Sequence, residues 1–311
     1  MSRGIIESPR IGCYPVQQRA GSTIKGVVTI TLMSLNVIAW CLVLFVVALA
    51  KFVVPVPAWR RVLSRAMTAL AEGWIGTNNA IFRLMGSMPL DARGLEGLST
   101  REWYLVISNH RSWVDILVLQ AVFNRRIPFL KFFLKQQLIW VPFLGIAWWA
   151  LDFPFMRRYT AAHLEKHPED RGKDLEVTRR ACEKFRLIPT SVMNFVEGTR
   201  FTPAKHAAFK SPYRNLLPTR AGGTSFVLSS MGGMLHSLLD VTIAYSTGTP
   251  SLWDLCCGRV GTVIVDVRRR PIDPWMSAGD YASEPEFRER FKAWLAGLWA
   301  DKDELLDRLL K

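Results

Sequence analysis

The chain has 311 residues, half of them hydrophobic, 12 tryptophans and a formal net charge of +14. That length suits one large α/β domain with an appendage, or two small domains. The charge calls for an anionic partner, and so much apolar and aromatic content favours a membrane surface or a phosphorylated lipid over nucleic acid.

In chain order, residues 1–25 read as a basic leader and residues 26–50 carry no charged side chain. The uncharged run is long enough to cross a bilayer, which takes about 20 residues. Lys51, Pro55 and Pro57 close it. Ala48-Leu49-Ala50 mimics a signal-peptidase site, but the run is longer than a signal h-region of about 7–15 residues. A buried core helix is the other reading. Arg3, Arg10, Arg19 and Lys25 precede the run, and Lys51, Arg60, Arg61 and Arg65 follow it. The positive-inside comparison is therefore close to a tie, which a re-entrant helix with both ends cytosolic would resolve. Residues 62–85 repeat apolar positions near one stripe (Leu63, Met67, Leu70, Trp74, Ile81 and Leu84), predicting an amphipathic helix in the headgroup plane or against the globular domain. Residues 26–89 thus form an anchor with an amphipathic helix, and 90–311 an α/β domain.

Within that domain, 103–107 reads as a buried strand and 116–123 as an apolar helix. The run 138–155 is rich in tryptophan (Trp140, Trp148 and Trp149) but broken by Pro142, Gly145 and Asp152, which predicts a buried or interfacial hairpin. His163 and His167 are spaced like helical metal ligands, yet Pro168 follows and no third ligand is evident, so exposed histidines are expected. Helices are predicted over 171–185, 222–231 and 284–310, and strands over 190–195, 238–245 and 261–267. Strands alternating with helices imply a sheet covered on both faces. Five cysteines without a CxxC spacing read as reduced thiols of a cytosol-facing protein.

Two constellations carry chemistry. His110 leaves the first strand and Asp115 enters the next helix five positions later. A loop there can fold the carboxylate onto one ring nitrogen and leave the other as a general base. Trp113 is expected to pack beneath this loop, and Asn109 to fix its shape. The second constellation, Glu197-Gly198-Thr199-Arg200, follows the strand at 190–195. Gly198 permits a sharp turn. Arg200 offers a planar fork for a phosphate. Glu197 is the awkward member beside an anion; a substrate hydroxyl or a nearby cation would suit it. Lys205, Lys210, Arg214 and Arg220 come next with no acidic residue among them, which suits an anionic headgroup or a solvated basic loop.

Asn-His-x4-Asp (Asn109, His110, Asp115) followed by Phe-x-Glu-Gly-Thr-Arg (Phe195, then Glu197 to Arg200) resembles the glycerolipid acyltransferase family, which includes the lysophosphatidate acyltransferases. The stretch with Lys135, Pro142 and Gly145 resembles the family's segment between these motifs. Phe155-Met156-Arg157-Arg158 resembles its arginine-bearing second motif, with Arg158 as the counterpart. Leu217 to Arg220 and Asp240 to Tyr245 resemble later blocks. Many bacterial members carry proline where this chain has Val196. The extended form through Phe201-Thr202 resembles the subgroup with the eukaryotic lysophosphatidate and lysocardiolipin enzymes and their bacterial relatives, which leaves the acceptor open.

The resemblance implies an α/β fold: a mixed sheet flanked by helices, with an N-terminal membrane-embedded helical segment. It implies transfer of a fatty acyl group from a thioester to a lysophospholipid hydroxyl, lysophosphatidate above all. His110 would be the base and Asp115 its orienting partner. Arg158, Glu197, Gly198, Thr199 and Arg200 would seat the headgroup, supported by Asn109 and Lys135. Acyl-CoA or acyl carrier protein is the implied donor substrate. An activated thioester calls for no metal or other cofactor. The expected setting is an anionic membrane, the bacterial inner membrane, with the catalytic domain facing the cytoplasm. A silent lipid-binding protein on the same fold is the rival reading, against which the intact His110, Asp115 and Glu197 speak. A nucleic-acid binder is the other, and the chain shows no recognisable motif for one.

Overall fold

The computed structural model describes residues 16–54, 56–156, 173–185 and 188–311. The leader through Pro15, Arg158, His163 and His167 lie outside the described residues. Two long helices come first, α1 (Val16–Val53) and α2 (Pro57–Leu84), folded into a hairpin. Pro57 starts α2, where a missing N–H costs nothing, so the helix begins earlier than its apolar stripe. Buried Met67, Ala71, Ile75, Asn78 and Phe82 recur every three or four residues along α2, as one helix face requires. The Asn36 side-chain amide donates to Asn78 Oδ1 across the hairpin at 2.9 Å, satisfying two polar groups that the apolar contact would otherwise strand.

α1 is long and apolar enough to cross a membrane, and only 17% of its most apolar window is buried. That exposure argues against a core helix: Ile24, Val28, Leu42, Val46, Leu49 and Phe52 all face outward. α2 packs on α1 on one side and on the domain's helix α3 (Val114–Phe123) on the other, so it covers the globular domain.

The main sheet contains β1 (Leu90–Arg93), β2 (Tyr104–Ser108), β3 (Leu130–Phe132), β6 (Ser191–Phe195), β7 (Ser237–Tyr245) and β8 (Val263–Arg270), in the order β1-β8-β7-β2-β6-β3. β2 runs parallel to both β6 and β7, and only β7 with β8 is antiparallel. The sheet is therefore mixed. A separate two-stranded piece pairs β4 (Leu134–Lys135) with β5 (Phe155–Met156). Alternation along β2 sorts side chains to two cores. Tyr104 and Val106 join the cluster under α1, α2 and α3. Leu105 and Ile107 join the opposite cluster. That second layer is built from α5 (Lys173–Phe185), α7 (Ala221–Met231) and α10 (Pro285–Leu309). Lys302 of α10 is buried and pairs with Asp240 of β7 at 2.6 Å, which pins the last helix to the sheet.

The tryptophan-rich run folds as a 3-10 turn over Gln136–Trp140, then α4 (Leu144–Ala150), then β5. Trp140 is 85% exposed and Trp149 59%, so the run presents an aromatic surface. The short helices α6 (Pro203–Ala208), α8 (Leu252–Cys257) and α9 (Trp275–Ala278) and the strands β1 and β3 to β5 were not expected from sequence; each is too short to show a period.

Gly145 sits where the 3-10 turn meets α4, and a Cβ there would run into the Ile139 carbonyl oxygen. Gly145→Ala is expected to cost about 1–3 kcal/mol through forced backbone movement, read as a lower thermal midpoint of the purified protein in detergent. An unchanged midpoint would contradict this packing.

Candidate active site

Parallel strands β2 and β6 lie side by side and end at the same sheet edge, with Ser108 opposite Phe195. Open α/β sheets bind ligands beyond the carboxyl ends of such strands. Residues 109–113 leave β2 there, and residues 196–200 leave β6. The fold thus joins the two motifs.

Asp115 is fully buried at the start of α3. A buried carboxylate needs donors, and this one has four. Its Oδ2 lies 2.8 Å from His110 Nδ1 and accepts the backbone N–H of Arg111 at 2.6 Å and of Ser112 at 2.9 Å. Its Oδ1 accepts the Tyr245 hydroxyl at 2.5 Å. Burial, then the adjacent Asp115 charge, pushes the Tyr245 phenol far up, so it stays a donor. The contact at Nδ1 leaves Nε2 as the ring nitrogen that can act on a substrate. Phe195 stacks on the His110 ring at 3.9 Å and 13°, which sets the plane of the imidazole.

Asn109 extends the β2–β7 pairing through its side chain. Its amide donates to the Ile243 carbonyl and its oxygen accepts the Ile243 N–H, each at 2.9 Å. The His110 carbonyl accepts the Phe201 N–H at 2.7 Å, joining the two motif loops directly.

Glu197 does not take the position expected for a substrate contact. It is 1% exposed, its Oε1 accepts the His110 N–H and its Oε2 accepts the Leu217 N–H, both at 3.1 Å. With both oxygens held by backbone, Glu197 braces the histidine loop rather than facing a ligand. Burial pushes its pKa up to about 7, against the pull of those hydrogen bonds and of Arg111.

Gly198 has φ of +67°, a left-handed turn that side chains resist. The Thr199 hydroxyl accepts from Lys205 Nζ at 2.6 Å, and the same ammonium donates to the Arg200 carbonyl at 3.1 Å. The Arg200 guanidinium lies 4.9 Å over the Trp113 ring. Trp113 is half exposed, not packed beneath the loop: as the cap of α3 it points outward and carries Arg200. Arg214 is also drawn away from the expected basic cluster. Its guanidinium binds Asp307 and its N–H binds Asp303, both on α10. Lys135 is exposed on β4, opposite Met156 of β5.

Sequence reading missed two contributors. Tyr245 was only the end of a strand. Arg111 passed as filler within the histidine motif, although it donates to the Asn215 carbonyl at 3.0 Å and lies 5.1 Å over the Phe201 ring. A hydroxyl-bearing aromatic at the strand's exit was the signal available for Tyr245.

An imidazole held by a buried carboxylate at the strand exits, with Arg200 and Lys205 on the neighbouring turn, has the chemistry to accept a proton from a hydroxyl near an anion. A model of the family described as Acyltransferase matches residues 89–244. The 1-acyl-sn-glycerol-3-phosphate acyltransferase gamma of Mus musculus is 27% identical over 216 residues, 66% of this chain and 53% of that protein. The corresponding acyltransferase 3 of Arabidopsis thaliana is 26% identical over 234 residues, 70% of this chain and 56% of that protein. The chain thus spans about half the length of these curated relatives. The crystal structure of the 1-acyl-sn-glycerophosphate acyltransferase PlsC of Thermotoga maritima covers 90% of this chain and 98% of its own, with a TM-score of 0.52 at 16% identity, a likeness of fold. This chain belongs to the acyltransferase family.

The raised Glu197 pKa fixes a pH dependence. A carboxyl whose folded pKa exceeds its unfolded one contributes stability below the unfolded value and loses it as pH rises through the folded one. With its pKa raised from the ordinary 4.5 to about 7, Glu197 should cost the fold up to a few kcal/mol at alkaline pH. The thermal midpoint of Glu197→Gln, relative to wild type, should therefore rise between pH 5 and pH 8. A pH-independent difference would rule out this titration. Tyr245→Phe strands Asp115 Oδ1 and should cost about 1–3 kcal/mol, measured by the same unfolding assay.

Proposed function

We propose that the protein transfers a fatty acyl group from an acyl thioester to the free hydroxyl of a lysophospholipid, with lysophosphatidate as the acceptor and phosphatidate as product. The observation that carries this reading is the His110 Nδ1 to Asp115 Oδ2 contact of 2.8 Å at the cleft. His110 Nε2 takes the proton from the acceptor hydroxyl as its oxygen attacks the thioester carbonyl. The carbon–sulfur bond then breaks, and the departing thiolate takes up the proton that His110 holds. Asp115 keeps the ring in one tautomer and stabilises the imidazolium, while the substrate itself is the nucleophile.

Arg200 on Trp113, with Lys205 behind Thr199, supplies cations for the acceptor phosphate, and the motif resemblance adds Arg158 to this role. Glu197 serves this site through the backbone of His110. The names of the curated relatives support a glycerol-3-phosphate-based acceptor. The Phe-x-Glu-Gly-Thr-Arg-Phe-Thr form with Val196 supports membership of the subgroup that includes lysocardiolipin-type enzymes, so other lysophospholipids belong in the acceptor panel. The donor is acyl-CoA or acyl carrier protein. The exposed apolar face of α1 supports residence in a membrane; the bacterial inner membrane, with the catalytic domain facing the cytoplasm, is the setting proposed for it.

The test is acyl transfer by purified protein, with lysophosphatidate, other lysophospholipids and both donor types. His110→Ala should lower kcat about 10²–10⁴-fold, the range for a positioned base, in protein shown to be folded by its circular dichroism. Arg200→Gln should raise KM for lysophosphatidate more than it lowers kcat. Undiminished transfer by folded His110→Ala would sink the proposal.

A further inference from the structure

A second cluster of cations lies at the other end of the sheet. β3 and β6 begin together, with Leu130 opposite Ser191. Beside that end, under the α1–α2 turn, is a cavity of about 610 Å³ lined by Lys51, Arg60, Arg61, Lys131, Lys184 and Asp152 among others. A second cavity of about 430 Å³ adjoins it and shares Lys51, Arg60, Asp152 and Lys184. Among the described lining residues, five cations stand against one carboxylate, an excess of four positive charges. Asp152 is already used, lying 3.1 Å from Lys51 and 2.8 Å from Lys184. Arg60 closes the first turn of α2 and Arg61 follows it, where the helix dipole is positive and the turn carries no acidic residue. A bound anion would relieve the mutual repulsion of these cations. Burial pushes the Lys131 ammonium down to about 8, with Asp152 opposing and Lys51 and Lys184 reinforcing the shift.

The rim indicates the anion's source. Phe52 (71% exposed) and Trp149 line the second cavity beside these cations, and Phe52 ends the outward apolar face of α1. Aromatic side chains with cations behind them match the headgroup level of an anionic bilayer. We propose that this cavity is a second anion site that takes the phosphate of an anionic membrane phospholipid, whose acyl chains lie along Phe52, Trp149 and the exposed side of α1. The site stands apart from the His110 cleft and seats the hairpin's turn against the membrane. It shares only membrane residence with the proposed function.

The test follows the thermal midpoint of the full-length protein in detergent as soluble short-chain phosphatidylglycerol is added, with phosphatidylcholine and inorganic phosphate as comparators. Phosphatidylglycerol should stabilise saturably, and the comparators should not at equal concentration. Arg60→Gln with Arg61→Gln should weaken the apparent affinity about 25-fold, from ~5-fold per cation near an anionic lipid surface. Lys184→Gln, at a largely exposed side chain, should weaken it about 5-fold by the same rule and serves if the double variant fails to fold. His110→Ala should bind lipid as wild type does, which separates this site from the cleft. Lys292→Gln with Arg308→Gln, on α10, removes equal charge elsewhere and should leave affinity unchanged. Four outcomes would each overturn the proposal: unaltered affinity in both cavity variants, an equal loss in the α10 variant, loss in His110→Ala, or an equal response to phosphatidylcholine. Equal stabilisation by inorganic phosphate would overturn the lipid assignment.

Discussion

Asp115 has no contact with water, and the rest of the site follows from that. An ionised carboxylate in the interior is tolerable only if its oxygens are met by donors. The loop after β2 therefore curls back so that two backbone N–H groups and the His110 ring point at Oδ2. Tyr245, from the end of β7, covers Oδ1. The histidine's position is a consequence of satisfying the aspartate, and a loop so constrained holds the imidazole in one orientation.

Glu197 extends the same logic across the sheet edge. It lies 87 residues from His110 in sequence, yet its oxygens receive the His110 and Leu217 N–H groups, so the loops after β2 and β6 share one buried acceptor. The Phe201 to His110 backbone bond and the Phe195 stack add two further ties. The Glu-Gly-Thr-Arg turn thus does two jobs. Its acidic member braces the base from within, and its basic member faces outward on Trp113. That division removes the conflict of a carboxylate beside a phosphate.

Two kinds of surface remain after the core is built. α1 and the α4 region turn apolar and aromatic side chains outward, and cations collect at both ends of the sheet: Arg200 and Lys205 at the cleft, Lys51, Arg60, Arg61, Lys131 and Lys184 under the hairpin turn. Apolar surface beside uncompensated positive charge suits the boundary between acyl chains and phosphates. The net charge of +14 is therefore not spread evenly; Arg214 and Lys302, for instance, are spent on internal acidic partners.

Local pattern made much of this legible. Apolar runs marked β2 and α3, amphipathic patterns marked α2, α5 and α10, and the uncharged run marked α1. The spacing of His110 and Asp115 around a strand exit foretold their contact, because five residues of loop allow few other closures. Strands of two to four residues carry too little period to read. The roles of Glu197, Trp113, Arg214 and Tyr245 were also beyond reach, for a different reason. Residue type states what a side chain can donate or accept, but a partner 130 residues away, as Tyr245 is from Asp115, is chosen by strand order and register. The sequence by itself determined the chemistry available and the period of each long element. Only the tertiary structure decided which buried oxygen each donor meets, because long-range pairing sets which side chains lose water together.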